Sequence, residues 1–132
     1  MLPAQYRMRR SADFGATVKH GRRAVQPDVI LYDRVIDDRR TDPSEESAVE
    51  DAAAIPPRVG LIIAKSVGNA VDRHRVARRL RHVAREVLAD LEPREQLVIR
   101  ALPGSSGATS EQLVIQLRTG LRSIRRAAGV VR

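Results

Sequence analysis

"RVGLIIAKSVGNAVDRHRVARRLRHVARE", residues 58–86, passes from an apolar run through Gly68 and Asn69 into a long helical pattern. "RVGLIIA" (58–64) is continuous enough in apolar content to predict a central strand. Asn69 with Asp72 three residues later makes a capping-box start, and the helix can then run to about Leu91, where "EPRE" breaks it. At about 100° per residue, Val76, Leu80, Val83, Ala84, Val87, Leu88 and Leu91 share one arc. His74, Arg75, Arg78, Arg79, Arg81, His82 and Arg85 share the opposite one. Arg73 points to the apolar side, but in the first turn, where a long side chain can snorkel past the sheet edge.

A solvated helix face usually mixes its signs. Between positions 73 and 85 there are six arginines, two histidines and no carboxylate. Like charges one turn apart repel, so such a face asks for an anionic partner. Gly68 and Asn69 are explained by a turn and a cap, although the N–H groups at that helix start also favour a phosphate.

Outward from this segment, "VILYDRVI" (29–36) alternates with period 2, with Val29, Leu31 and Val35 on one face and Ile30, Tyr32, Arg34 and Ile36 on the other. A short pairing strand is expected at 23–26. Residues 37–57 are acidic and aperiodic, which predicts a long mobile loop across which 29–36 and 58–64 close a hairpin. Upstream, Ser11 can cap a helix over 11–20 with Phe14 and Val18 on one face and Gly21 as its stop. Downstream, "QLVIRAL" (96–102) is a further strand. Thr109 and Gln112 open a last helix with Leu113, Leu117, Leu121 and Ile124 inward and Arg118, Arg122, Arg125 and Arg126 outward. The order α-β-β-β-α-β-α predicts an α/β (α+β) two-layer sandwich, with helices packed on a mixed sheet.

The 132 residues fit one domain, 1–132. The net charge is +8, carried by 22 Arg and only 2 Lys, which favours forked contacts to phosphates. Residues 33–57 alone hold −5, so the rest of the chain stands at +13. The absence of cysteine excludes a disulfide scaffold, thiolate metal sites and a cysteine nucleophile. No apolar run approaches the roughly 20 residues of a membrane span, and a soluble cytoplasmic protein is expected.

No histidine has the spacing of a zinc site or proton relay, and there is no phosphate-binding glycine loop or nucleophile elbow. Asp33, Asp37, Asp38 and Asp42 cluster at the mouth of the acidic loop and are read as solvated. Phe14 and Tyr32 read either as core filler or as stacking faces for single-stranded nucleic acid, with Arg34 on the Tyr32 face and Lys19 and His20 near Phe14.

The arrangement in 58–86 closely resembles the signature of the bacterial ribonuclease P protein component: R-x-G on a strand, then K-x-x-G-N-A-V and an R-x-R helix. "YRMRRSADFGATVKHGRR" (6–23) resembles that family's opening helix and "VILYD" its central strand. "TSEQLVIQLRTGLRSI" (109–124) is compatible with its last helix. The resemblance implies a left-handed crossover, as in a domain of a ribosomal protein and an elongation factor. It implies a subunit that joins a catalytic RNA to cut the 5′ leader from precursor tRNA. The RNA performs the hydrolysis with Mg2+, and no dedicated protein metal site or protein catalytic residue is expected. By position, Lys65, Asn69, Arg73, Arg75, Arg78 and Arg79 would face the catalytic RNA, with His74, Arg81 and Arg85 on the same basic face. Phe14, Ile30 and Tyr32 would line the leader cleft.

The chain departs from that pattern at His74, the centre of R-N-R in the family, at Val18, where a second aromatic is usual, at Ser66, and in the length of the acidic loop. Two rivals are a ribosome-associated structural RNA-binding protein of similar fold and a membrane-surface protein. The second is disfavoured because the basic helix carries no Trp or Phe anchor. Neither a membrane nor an obligatory protein partner is expected.

Overall fold

In a computed structural model the protein is described over residues 2–36 and 55–127. Seven elements follow in the expected order: α1 (Ser11–His20), β1 (Arg22–Val25), β2 (Val29–Val35), β3 (Arg58–Ile63), α2 (Ala70–Val87), β4 (Glu95–Ala101) and α3 (Ser110–Ala127). Residues 37–54 of the acidic segment, and with them its expected mobility, lie outside the described residues. No helix among the described residues is long and apolar enough to cross a membrane.

The mixed sheet has the order β1-β2-β4-β3, in which β4 runs antiparallel to β2 and parallel to β3. The expected hairpin between 29–36 and 58–64 therefore does not form, because β4 lies between the two strands. Nor is 58–64 central: β3 is an edge strand, partly covered by the N-terminal segment through the Arg7–Val59 bridge and the Met8 N–H donating to the Val59 carbonyl at 2.9 Å. Its run of apolar residues reflects cover on both faces instead. Val59, Leu61 and Ile63 pack into the main core and Ile62 into a second cluster.

The main core lies between one sheet face and α2 with α3. Val29, Leu31, Leu97 and Ile99 meet Val76, Leu80, Val83, Ala84 and Val87 of α2 and Leu113, Leu117, Leu121 and Ile124 of α3, as the helical periods predict. Both long helices open with the expected caps. In α3 the Gln112 N–H donates to Thr109 Oγ1 at 3.1 Å while Gln112 Oε1 accepts from the Thr109 N–H at 2.9 Å.

The short helix α1 lies on the other face of the sheet, where Phe14 joins Met8, Ile30, Tyr32, Ile62 and Val98. Its details differ from the sequence reading. Ser11 is the first helical residue, not the cap; Arg10 holds the cap position and makes no side-chain cap bond. Val18 is 37% exposed, whereas Thr17 is buried and its hydroxyl bonds the Asp13 carbonyl at 2.7 Å. Gly21 ends the helix in extended backbone (φ −75°), not as a left-handed stop.

Asp33 also corrects the sequence reading: it is buried, not solvated, on the core face with Leu31. It lies near Glu95, whose carboxylate accepts from Arg125 Nη2 at 3.1 and 3.4 Å, and Arg125 also donates to the Asp90 carbonyl. Arg125 therefore turns inward to serve the core edge. Burial, then the hydrogen bond and negative charge of Glu95, push the Asp33 carboxyl from 3.8 up to about 9, against the lowering pull of Arg125. The folded chain thus holds at neutral pH a proton that the unfolded chain releases. The stability so gained is complete below the unfolded value and is lost as pH rises toward 9. Asp33→Asn removes this titration, so its melting temperature should fall less than that of the wild type between about pH 4 and pH 9. Identical pH slopes in thermal unfolding would contradict the assignment.

Candidate nucleic-acid interface

The interface is built from the start of α2. A 3-10 turn at Lys65–Val67 leads to Gly68, whose φ of 155° and ψ of −164° fall in a region essentially reserved for glycine. A Cβ at Gly68 would also collide with the Asp72 side chain. Asn69 Oδ1 then accepts from the Asp72 N–H at 2.8 Å, and Asp72 Oδ2 accepts from the Asn69 N–H at 3.2 Å. The Asn69 oxygen is thus committed to the helix, and only its amide nitrogen remains for a partner.

Burial of the apolar arc leaves Lys65, Asn69, His74, Arg75, Arg78 and Arg85 exposed and Arg73, Arg79 and Arg81 half-buried. Arg73 turns inward at the first turn as expected, and its buried Nε has no hydrogen-bond partner among the described residues. Arg79 is held by a 2.7 Å bond to the Ala108 carbonyl ahead of α3. Among the described residues none of the six α2 arginines is in an ion pair; the ion pairs found are Arg118–Asp90 and Arg125–Glu95.

An open groove of about 670 Å³ brings together His74, Arg75, Arg78, Arg79, Arg81 and His82 of α2, with Arg7 and Ser110 as its outer walls. Lys65, Asn69, Arg73 and Arg85 do not line it. The sequence reading missed Arg7 and Ser110. Arg7 belongs to a stretch without periodicity, and its Nε bond to the Leu2 carbonyl at 2.8 Å becomes visible only once the N-terminus is placed against β3.

Phe14, Ile30 and Tyr32 meet in one cluster on the opposite sheet face. Tyr32 is only 7% exposed, so it supports the others from beneath, while Phe14 and Ile30 are half-exposed. The Phe14 ring lies over Gly60, where a Cβ would collide with it. A small cavity of about 160 Å³ beside the ring is walled by Arg7 and Arg81, the same two residues that border the basic groove. The two candidate surfaces therefore adjoin.

Beside α1 the strand register places Val25, Ile30, Arg100 and Ile62 in one row across the sheet, each partly or fully exposed. Of these only Ile30 was expected from the sequence, because the others require the strand order. The row combines apolar surface with one guanidinium and suits a single strand whose bases lie on the sheet while its phosphates meet arginine.

The ribonuclease P family model matches residues 2–125. The ribonuclease P protein component of Mycolicibacterium vanbaalenii is 54% identical over 129 residues, covering 98% of each chain. That of Mycobacterium ulcerans is 55% identical over 132 residues, the whole of both. The solved RNase P protein of Staphylococcus aureus superposes with a TM-score of 0.67 at 20% identity, over 89% of this chain and 94% of its own.

Gly68→Ala should cost about 1–3 kcal/mol in denaturant unfolding, since alanine must take up a strained backbone and displace Asp72 from the cap. An unchanged midpoint would show that the K-x-x-G-N turn does not depend on its glycine.

Proposed function

The chain belongs to the ribonuclease P protein family, and we propose that it docks the catalytic RNA through the basic face of α2 and receives the precursor tRNA leader beside α1. It is the protein subunit of a ribonucleoprotein endoribonuclease of tRNA processing. The observation that carries the docking reading is the α2 face itself. Between positions 73 and 85 it has six arginines and no carboxylate, with Arg73 turned inward and Glu86 following in the last turn, and none of the six is in an ion pair among the described residues. Phosphates supply the missing charge, and arginine forks bind them in pairs.

Lys65, Asn69, Arg73, His74, Arg75, Arg78, Arg79, Arg81 and Arg85 are the proposed contacts to the catalytic RNA. Those in the groove act directly, while Asn69 acts mainly by capping the helix. Phe14 and Ile30 form the leader surface with Tyr32 as its support. Arg7 and Arg81, shared by both surfaces, would screen the repulsion where the two RNAs converge. Such screening lowers the Mg2+ that the RNA needs to fold and to hold its substrate.

Mg2+, when bound, activates water on the RNA side. The carboxylates that the sheet brings together, Asp33 and Glu95, do not fit a hydrated magnesium: Arg125 already engages Glu95, and Asp33 keeps its proton. On this reading the chain needs two RNA partners in the cytoplasm and no obligatory protein partner.

Arg75→Ala combined with Arg78→Ala should weaken assembly with the catalytic RNA and make its salt dependence shallower by about one unit per contact. Unchanged affinity and slope would remove α2 from the interface. Phe14→Ala with Ile30→Ala should weaken binding of precursor tRNA more than of mature tRNA. Equal losses would favour a structural RNA-binding protein indifferent to the leader.

A further inference from the structure

The outward stripe of α2 continues beyond the groove. Arg78, His82, Arg85 and Ala89 recur every three to four residues, so they fall along one line of the helix surface, with Ala89 in the 3-10 turn that ends it. Ala89 and Asp90 open into a second cleft of about 370 Å³ whose far wall is α3: Arg118, Leu121, Arg122 and Arg125. Three guanidiniums thus line the cleft, where Asp90 is the one lining carboxylate.

Their states differ. Arg125 is fixed by Glu95 and the Asp90 carbonyl and has a structural role. Arg118 meets Asp90 at 3.5 Å, with both side chains about half exposed (52% and 47%), a pairing weak enough to yield to a phosphate. Arg122 is exposed and has no partner among the described residues. Complementing the helix dipole does not explain the pair, because α3 continues to Ala127 and the dipole acts only within the last turn. The cleft offers little apolar surface, Leu121 being buried beneath it, so a protein partner would find no anchor there.

We propose that this cleft is a second phosphate-binding site, in which Arg118 and Arg122 grip the backbone of an RNA strand that leaves the α2 face at Ala89. The site rests on the docking reading of α2 and extends the RNA footprint onto α3. Arg118 exchanges Asp90 for the phosphate, and Arg122 supplies the second fork.

The test is the salt dependence of assembly with the catalytic RNA for Arg118→Ala combined with Arg122→Ala, compared with Arg75→Ala combined with Arg78→Ala. Two lost phosphate contacts should make the slope shallower by roughly two units in either double variant. Replacing both Arg118 and Arg122 by Lys should retain most of the slope. A normal slope for the α3 variant beside a reduced one for the α2 variant overturns the second site and leaves the docking helix standing. Normal slopes for both overturn the two together. Should the α3 variant lose its circular dichroism signal, an iron chelate tethered to Ala89→Cys decides, since the chain has no other cysteine. Hydroxyl-radical cuts in the bound RNA are expected, and their absence overturns the site.

Discussion

The seam between α2 and the sheet governs the rest of the structure. Val76, Leu80, Val83, Ala84 and Val87 are all buried to 1% exposure or less against β-strand residues and α3. A fully buried Val or Leu contributes about 1.5–3 kcal/mol, so rolling the helix to hide its arginines would cost far more than the few tenths of a kcal/mol that each like-charge pair loses on the surface. The core therefore holds the basic face outward against its own repulsion. In the proposed docking mode RNA would relieve that repulsion, which would couple the packing of the fold to its function.

The second constraint is the position of β4. Because β4 separates β2 from β3, the β3-α2-β4 crossover carries α2 over one face of the sheet, while α1 and the N-terminal segment occupy the other. The proposed docking helix and the proposed leader surface thus lie on opposite sides of one thin sheet. They adjoin at its β3 edge, where Arg7 and Arg81 border both. In the proposed reading the catalytic RNA and its substrate would converge at this edge.

The long amphipathic elements are legible in the sequence because an 18-residue helix samples its period many times, so the periodicity alone separates the core-facing arc of α2 from its basic one. The capping boxes at Asn69 and Thr109 were legible for a similar reason, since both partners lie three residues apart. Strand neighbours were not. The apolar run 58–64 reports that both faces are covered, but this holds for an edge strand patched by the N-terminus as well as for a central one. Asp33 was misread because its sequence neighbours are acidic, whereas its environment is set by Glu95 and Arg125, more than 60 residues away. The same non-local pairing hid Arg7, Arg100 and the α3 cleft, while the signature at 65–75 is local in sequence and carries the family resemblance directly.

The most direct test of the account is reconstitution of the full chain with the catalytic RNA at a magnesium concentration where the RNA alone is slow, scored by removal of the 5′ leader. The account predicts that the wild-type protein restores cleavage and that replacing arginines on the α2 face by glutamate abolishes the rescue without unfolding the protein. Rescue undiminished by that charge reversal would contradict the claim that the basic face of α2 holds the RNA.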